Sequence, residues 1–250
     1  MGQRLKSTLR YFLPRRIQRH RILAGPLRGC QIVTSWHDYP AAITGRTERS
    51  LLAWLTANVK PGETWLDIGA HYGYTAIALC RLVGDHGRVF AFEPMISTAG
   101  YLNQTKILNK FNIMTVLPFA LGDRKEINLV RLSLVRGMGD STLNAKKHET
   151  ILLTCLDWLW SQVCGQDRSI DGVKIDVQGM ELEVIKGMGE VMKLNKPKLV
   201  IEFHKGVDRK MLLSARVNIG YTRPAVPIEP VLGENVPQLL DDKSYAFIPN

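Results

Sequence analysis

The residues best placed to do chemistry are Asp67-Ile68-Gly69-Ala70-His71-Tyr72-Gly73 and, further on, Glu93-Pro94. The first group follows the apolar run Thr64-Trp65-Leu66 and precedes a helical stretch from Tyr74 to Val83. Glycines in such a turn let the backbone come close to a ligand. Asp67 places a negative charge beside that ligand. The turn departs from the dinucleotide fingerprint, because His71 occupies the second glycine position and Asp67 stands where a pyrophosphate would approach. A nicotinamide dinucleotide is therefore disfavoured. A ligand carrying positive charge suits the same carboxylate.

S-adenosylmethionine, with a sulfonium and an ammonium group, has that character. Glu93 ends the next apolar run, Arg88 to Phe92. Its distance along the chain from the turn suits a carboxylate that accepts hydrogen bonds from two ribose hydroxyls, a role common to dinucleotide and S-adenosylmethionine sites. The expected cofactor contacts are thus Asp67, Gly69, Ala70, His71, Tyr72, Gly73, Glu93 and Pro94. The adenine is expected near the end of a third strand, beside Ala120, Leu121 and Asp123.

These residues need a scaffold that brings strand ends together, and the chain's rhythm supplies one. Strands are expected at 64–69, 88–92, 113–119, 173–177 and 199–203. Helices are expected at 51–55, 74–83, 97–109 (capped by Ser97), 180–192 and 208–217. Alternation at this pace indicates βαβ units and a parallel sheet. A closing antiparallel pair is read at 221–226 and 245–248. The pattern is an α/β, doubly wound sheet, mostly parallel with an antiparallel closing strand. Residues 126–156 break the rhythm and read as an insertion, a hairpin beside the active face. Two regions result: a basic N-terminal arm or helix at 1–44 and a catalytic domain at 45–250.

Charge separates those regions. The chain carries +10 over 250 residues, and Arg4, Lys6, Arg10, Arg15, Arg16, Arg19, Arg21 and Arg28 precede its first acid, Asp38. The first 37 residues therefore hold +8, which leaves +2 for the rest. Such an arm is attracted to an anionic membrane surface, through residues 1–28, or to nucleic acid. Leu5, Leu9, Phe12 and Leu13 recur at helical spacing, suiting an amphipathic helix on a bilayer or one packed on the domain itself. Lys6 stands where a myristoylation signal needs Ser or Thr. No apolar run reaches the ~18 residues of a membrane span, and Pro14, Arg15 and Arg16 interrupt any signal-peptide core. Cys30, Cys80, Cys155 and Cys164 have neither C-x-x-C nor metal spacing, so no disulfide scaffold is expected. The chain reads as cytoplasmic, with peripheral membrane contact through the arm.

An ordered series of motifs resembles the FkbM family of methyltransferases. It comprises Pro61-Gly62 to Gly73-Tyr74, Phe92-Glu93-Pro94, Ala120-Leu121-Gly122-Asp123, Thr154-Cys155-Leu156-Asp157 and Lys174-Ile175-Asp176-Val177-Gln178-Gly179-Met180-Glu181 through Lys186-Gly187. Leu199-Val200-Ile201-Glu202 after Lys196-Pro197 continues it, so the likeness covers roughly residues 45–204. The resemblance implies a Rossmann-like doubly wound sheet of the seven-stranded methyltransferase type, S-adenosylmethionine-dependent O-methylation of hydroxyls, often on sugars or natural products, and a contact between Glu48 and the methionine amine. Two departures stand out: Gln178 where the family usually carries Glu, and His71 where a small polar residue is commoner.

Transfer of a methyl group to a hydroxyl is an in-line displacement that also needs a base for the hydroxyl proton. Asp176, at the end of the fourth strand, is the first candidate and is also counted with the cofactor contacts. His204 is the second, with Glu202 to orient it, and Glu181 the third. The spacing matches no recognised metal motif, so no metal ligand is assigned. The leading expectation is an O-methyltransferase for a sugar, glycolipid or other small molecule. The alternatives are an RNA methyltransferase gripping phosphates with its arm, which lacks an aromatic-basic stacking pattern, and a catalytically silent S-adenosylmethionine-binding module.

Overall fold

The computed structural model describes residues 12–135, 138–140, 148–163, 169–231 and 236–249. Thirteen strands and eight helices alternate along these residues. The main sheet has seven strands: β3 (Thr64–Ile68), β4 (Arg88–Phe92), β5 (Met114–Leu117), β10 (Gly172–Ile175), β11 (Lys198–Phe203), β12 (Val226–Pro227) and β13 (Lys243–Phe247). Their order is β12-β13-β11-β10-β3-β4-β5. The run from β11 to β5 is parallel, and β13 lies antiparallel to β11. The chain builds outward from β3 to β5, then returns to lay β10 on the other flank of β3. That reversal opens a crevice at the carboxyl ends of β3 and β10, where ligands of doubly wound sheets bind.

Burial on both faces explains why the strands read as continuous apolar runs. The alternation of β3 sends Trp65 toward helices α2 (Arg49–Asn58), α3 (Tyr74–Val83) and α4 (Ile96–Leu108). Leu66 and Ile68 face α5 (Leu156–Val163), α6 (Glu181–Lys186), α7 (Gly189–Asn195) and α8 (Arg209–Asn218).

Four expected elements differ in ways with clear causes. The third strand is two strands, β5 and β6 (Phe119–Leu121), because Pro118 offers no N–H to the ladder and the chain turns there into a second sheet. Ser97 does not cap α4. The helix begins one residue earlier, and its free Ile96 N–H is taken by the Glu149 carboxylate at 2.7 Å from across the fold. The helix read at 180–192 is interrupted. A Cβ on Gly187 would lie 1.7 Å from the Gly122 carbonyl oxygen, and Asp157 caps the new helix by accepting from Glu190 N and Val191 N. Residues 221–225 form no strand, and β13 spends most of its ladder on β11.

The interruption at 126–156 forms most of a second sheet of order β6-β9-β7-β8, in which β7 (Asn128–Val135) and β9 (His148–Thr154) form the expected antiparallel hairpin and β8 (Met138–Asp140) pairs with the end of β7. Ahead of residue 45, β1 (Gln18–Arg21) and β2 (Gln31–Thr34) pair as a hairpin, and α1 (Pro40–Thr44) follows. The hairpin is fastened to α4: Val33 N donates to Thr105 Oγ1 at 3.0 Å, and Gln31 N to Asn109 Oδ1 at 2.9 Å. Leu5 and Leu9 lie outside the described residues, while Phe12 and Leu13 lie in a turn. Cys80 and Cys155 are buried as free thiols, and Cys164 lies outside the described residues. Among the described residues no helix is long and apolar enough to cross a membrane.

Candidate active site

A cavity of about 310 Å³ opens at the crevice between β3 and β10, at the small end of small-molecule sites. One wall is backbone. After β3 the chain turns at Gly69 (φ 84°) so tightly against the neighbouring strand end that a Cβ there would sit 1.8 Å from the Asp176 carbonyl oxygen. Glu93, at the end of β4, accepts from His71 N at 2.8 Å and Met95 N at 3.0 Å, so it ties the turn to the next strand. Burial pushes the Glu93 carboxyl up to about 8 against those two N–H donors. Gly69, Ala70, His71, Glu93, Pro94, Ala120, Leu121 and Glu48 all line the cavity. Burial also raises the Glu48 carboxyl, opposed by Lys174. The Tyr74 hydroxyl on the same wall is buried without a hydrogen-bond partner among the described residues.

Four expected cofactor residues face elsewhere. Asp123 is exposed outside the cavity. Gly73 is spent on the start of α3, and the Tyr72 hydroxyl donates to Asp38 Oδ2 at 3.3 Å. Asp67 is fully buried one layer below the cavity. Lys174 lies directly opposite it in the β3–β10 register, with its ammonium 3.5 Å from Asp67 Oδ1 and 3.1 Å from Asp176 Oδ2. The Asp67 charge is thus met by a lysine, not directly by a ligand. Sequence reading missed Lys174. The signal was present: a lysine inside an apolar strand, two residues from an aspartate and so on the same face.

The opposite wall carries side-chain chemistry. β10 ends at Ile175, which leaves Asp176 past the strand and facing the cavity beside Glu202. His204 stands behind them, with Nε2 3.5 Å from Asp176 Oδ1 and 3.7 Å from Glu202 Oε1. Its Nδ1 contacts Oε1 of the buried Glu181 at 2.6 Å, and Nε2 contacts the Gln178 amide at 2.8 Å. His204 and Glu181 do not line the cavity themselves. The charges set one another's protonation. Burial opposes ionisation of Asp176, but Lys174 and His204 hold it below the usual carboxylate range. Asp176, then burial, raises Glu202 to about 8. Burial works against a charged His204, yet Glu181, Asp176 and Glu202 raise it to about 9. These groups share protons as a unit. Asp176, Glu202 and His204 also offer donor atoms within 4.8 Å of one another, a spacing that a cation can span, although no metal motif announced it in the sequence. Lys174 and Gln178 already occupy part of that donor set.

The sequence profile of the methyltransferase FkbM domain matches residues 67–213, more than half of the chain. This chain belongs to that family. It is a methyltransferase. Hexuronic acid methyltransferase AglP of Haloferax volcanii is 26% identical over 184 residues, covering 71% of this chain and 73% of the relative. The crystal structure of methyltransferase FkbM from Methylobacillus flagellatus KT has the same fold at a TM-score of 0.50 and 16% identity, over 83% of this chain. The chain spans about half of that protein, 52% of its length. Aeropyrum pernix fibrillarin, solved with natively bound S-adenosyl-L-methionine, matches at a TM-score of 0.50 and 12% identity over 93% of this chain and 82% of its own. For this FkbM-domain methyltransferase these structures establish the Rossmann-like architecture.

Proposed function

We propose that this FkbM-domain methyltransferase transfers the methyl group of S-adenosylmethionine to a hydroxyl of a sugar or glycolipid. The observation that carries the reading is the two-walled cavity, with a glycine turn and ribose-competent carboxylate on one side and a proton-holding cluster on the other. The cofactor fits the first wall. Glu93 retains lone pairs for a diol, Ala120 and Leu121 offer an apolar seat for adenine, and Glu48 supplies a carboxylate for an ammonium. Tyr74 brings a hydroxyl that has no hydrogen-bond partner among the described residues. When bound, the cofactor supplies the electrophilic methyl.

The chain's own residues then orient the acceptor and take its proton. Asp176 faces the cavity ionised and accepts a hydrogen bond from the acceptor hydroxyl. Glu202, also facing the cavity with its pKa raised to about 8, is better matched as the proton's first destination. His204, oriented by Glu181 and already protonated, offers its positive charge to Asp176 and Glu202 from behind. Asp67 acts through Lys174, holding its ammonium against Asp176. The similarity to a hexuronic acid methyltransferase supports a sugar acceptor. Incubation with radiolabelled S-adenosylmethionine and panels of uronic acids, neutral glycans, glycolipids and RNA tests this. Label in an alkali-stable ether on a sugar is expected. Label in RNA, or in no acceptor while the cofactor binds, would overturn it.

A further inference from the structure

We infer that the face built from the β1–β2 hairpin, α3 and α4 docks on an anionic lipid surface. Three stretches of chain meet there. Residues 12–37 carry Arg15, Arg16, Arg19, Arg21 and Arg28, all exposed. Residues 69–84 carry Arg81, and residues 94–122 carry Lys106 and Lys110. None of the three contains Asp or Glu. The fold joins them. Arg81 reaches the hairpin turn, with Nη1 3.4 Å from the Pro26 carbonyl oxygen, and the end of α4 is fastened to β2 through Thr105 and Asn109. The three stretches together supply eight cations and no acid, whereas the remainder of the chain carries nearly balanced charge.

Charge alone would suit any polyanion. The apolar side chains among these cations favour lipid. Phe12 is 79% exposed, Leu23 57% and Ile107 63%. A groove beside Ile107, lined also by Ile17, Val33, Tyr101 and Leu108, has Arg19 at its rim. Apolar groups set among arginines match the acyl–headgroup boundary of a membrane, where cations meet lipid phosphates while apolar side chains enter the acyl region. A sequence-tolerant RNA surface instead needs a series of aromatic platforms for base stacking, and of the strongly exposed apolar side chains here Phe12 alone is aromatic. β2 also runs directly into Asp38 and Tyr39, which line the cavity. The docking face and the catalytic crevice therefore share a short continuous segment.

Co-sedimentation of the full chain with phosphatidylcholine vesicles, with and without phosphatidylglycerol, tests the inference. Partition is expected only onto the anionic vesicles, and it should weaken as salt is raised. Arg19→Glu with Arg21→Glu should lower it by about tenfold or more, and Leu23→Asn by a smaller factor. S-adenosylhomocysteine affinity and melting temperature, measured in parallel, should not move. Absent binding, equal binding to neutral vesicles, or retention by an RNA oligonucleotide under conditions where vesicles fail would each overturn it. The proposed sugar chemistry would be untouched by any of these results.

Discussion

The two walls of the cavity are built by different means. The Gly69–Glu93 wall is made of backbone, fixed by a glycine that packs against the Asp176 carbonyl and by a carboxylate that accepts two main-chain N–H groups. The opposite wall is made of side chains, Asp176 and Glu202 from two strand ends with His204 behind them, and its geometry depends on the buried Lys174 and Glu181. A backbone wall binds through shape. A charged wall works by distributing protons, and it is fragile because each ion relies on its neighbour.

The largest expected effect comes from removing the lysine that balances the charged wall. Lys174→Met leaves Asp67 buried without a cation and should cost roughly 3–5 kcal/mol of stability, read as a fall in melting temperature. Adding Asp67→Asn to it should recover a good part of that loss. An unrecovered double variant would show that the pair is not the cause.

Next comes the backbone wall. Gly69→Ala forces a Cβ against the Asp176 carbonyl at a positive φ, and roughly 3 kcal/mol of strain is expected. Titration of S-adenosylhomocysteine should show binding lost even where the protein stays folded.

Two pH experiments separate the walls further. With Glu93 held at about 8 by burial, its carboxylate forms as pH rises through that value. S-adenosylhomocysteine should bind more tightly above pH 8 than at 6, and Glu93→Gln should flatten the dependence. On the other wall, Glu181→Gln removes the negative charge beside His204 Nδ1 and should bring its pKa down from about 9, read by imidazole NMR. Asp176, Glu202 and Lys174 remain facing the cluster, so the fall should be partial. The sign carries over to stability. A raised histidine pKa stabilises the fold fully below about 6.5 and ceases to as pH climbs through 9, so Glu181→Gln should cost more at pH 6 than at pH 10. The smallest effect belongs to Asp123→Ala, off the cavity and exposed, which should change cofactor affinity less than about twofold.

The same contrast explains what could be read from sequence. The turn after β3, the acid after β4 and the strand rhythm obey local rules, so Gly69, Ala70, His71 and Glu93 fall on the cavity as expected. Asp67 was legible as a charge but not as a buried one, since its neighbour Lys174 lies on a strand more than a hundred residues away. The caps supplied by Glu149 and Asp157 are tertiary in the same way, and for that reason α4 starts ahead of Ser97 and the helix near 187 divides. The hairpin at 18–34 draws its strength from α4, which local pattern does not reveal.

Calorimetric titration of the wild-type chain with S-adenosylhomocysteine, with NAD as the comparison ligand, tests the account most directly. One-to-one binding in the micromolar range, with no heat from NAD, is the predicted result. A folded protein that fails to bind S-adenosylhomocysteine, or that binds NAD in its place, would contradict the reading of the crevice between β3 and β10 as a methyl-donor site.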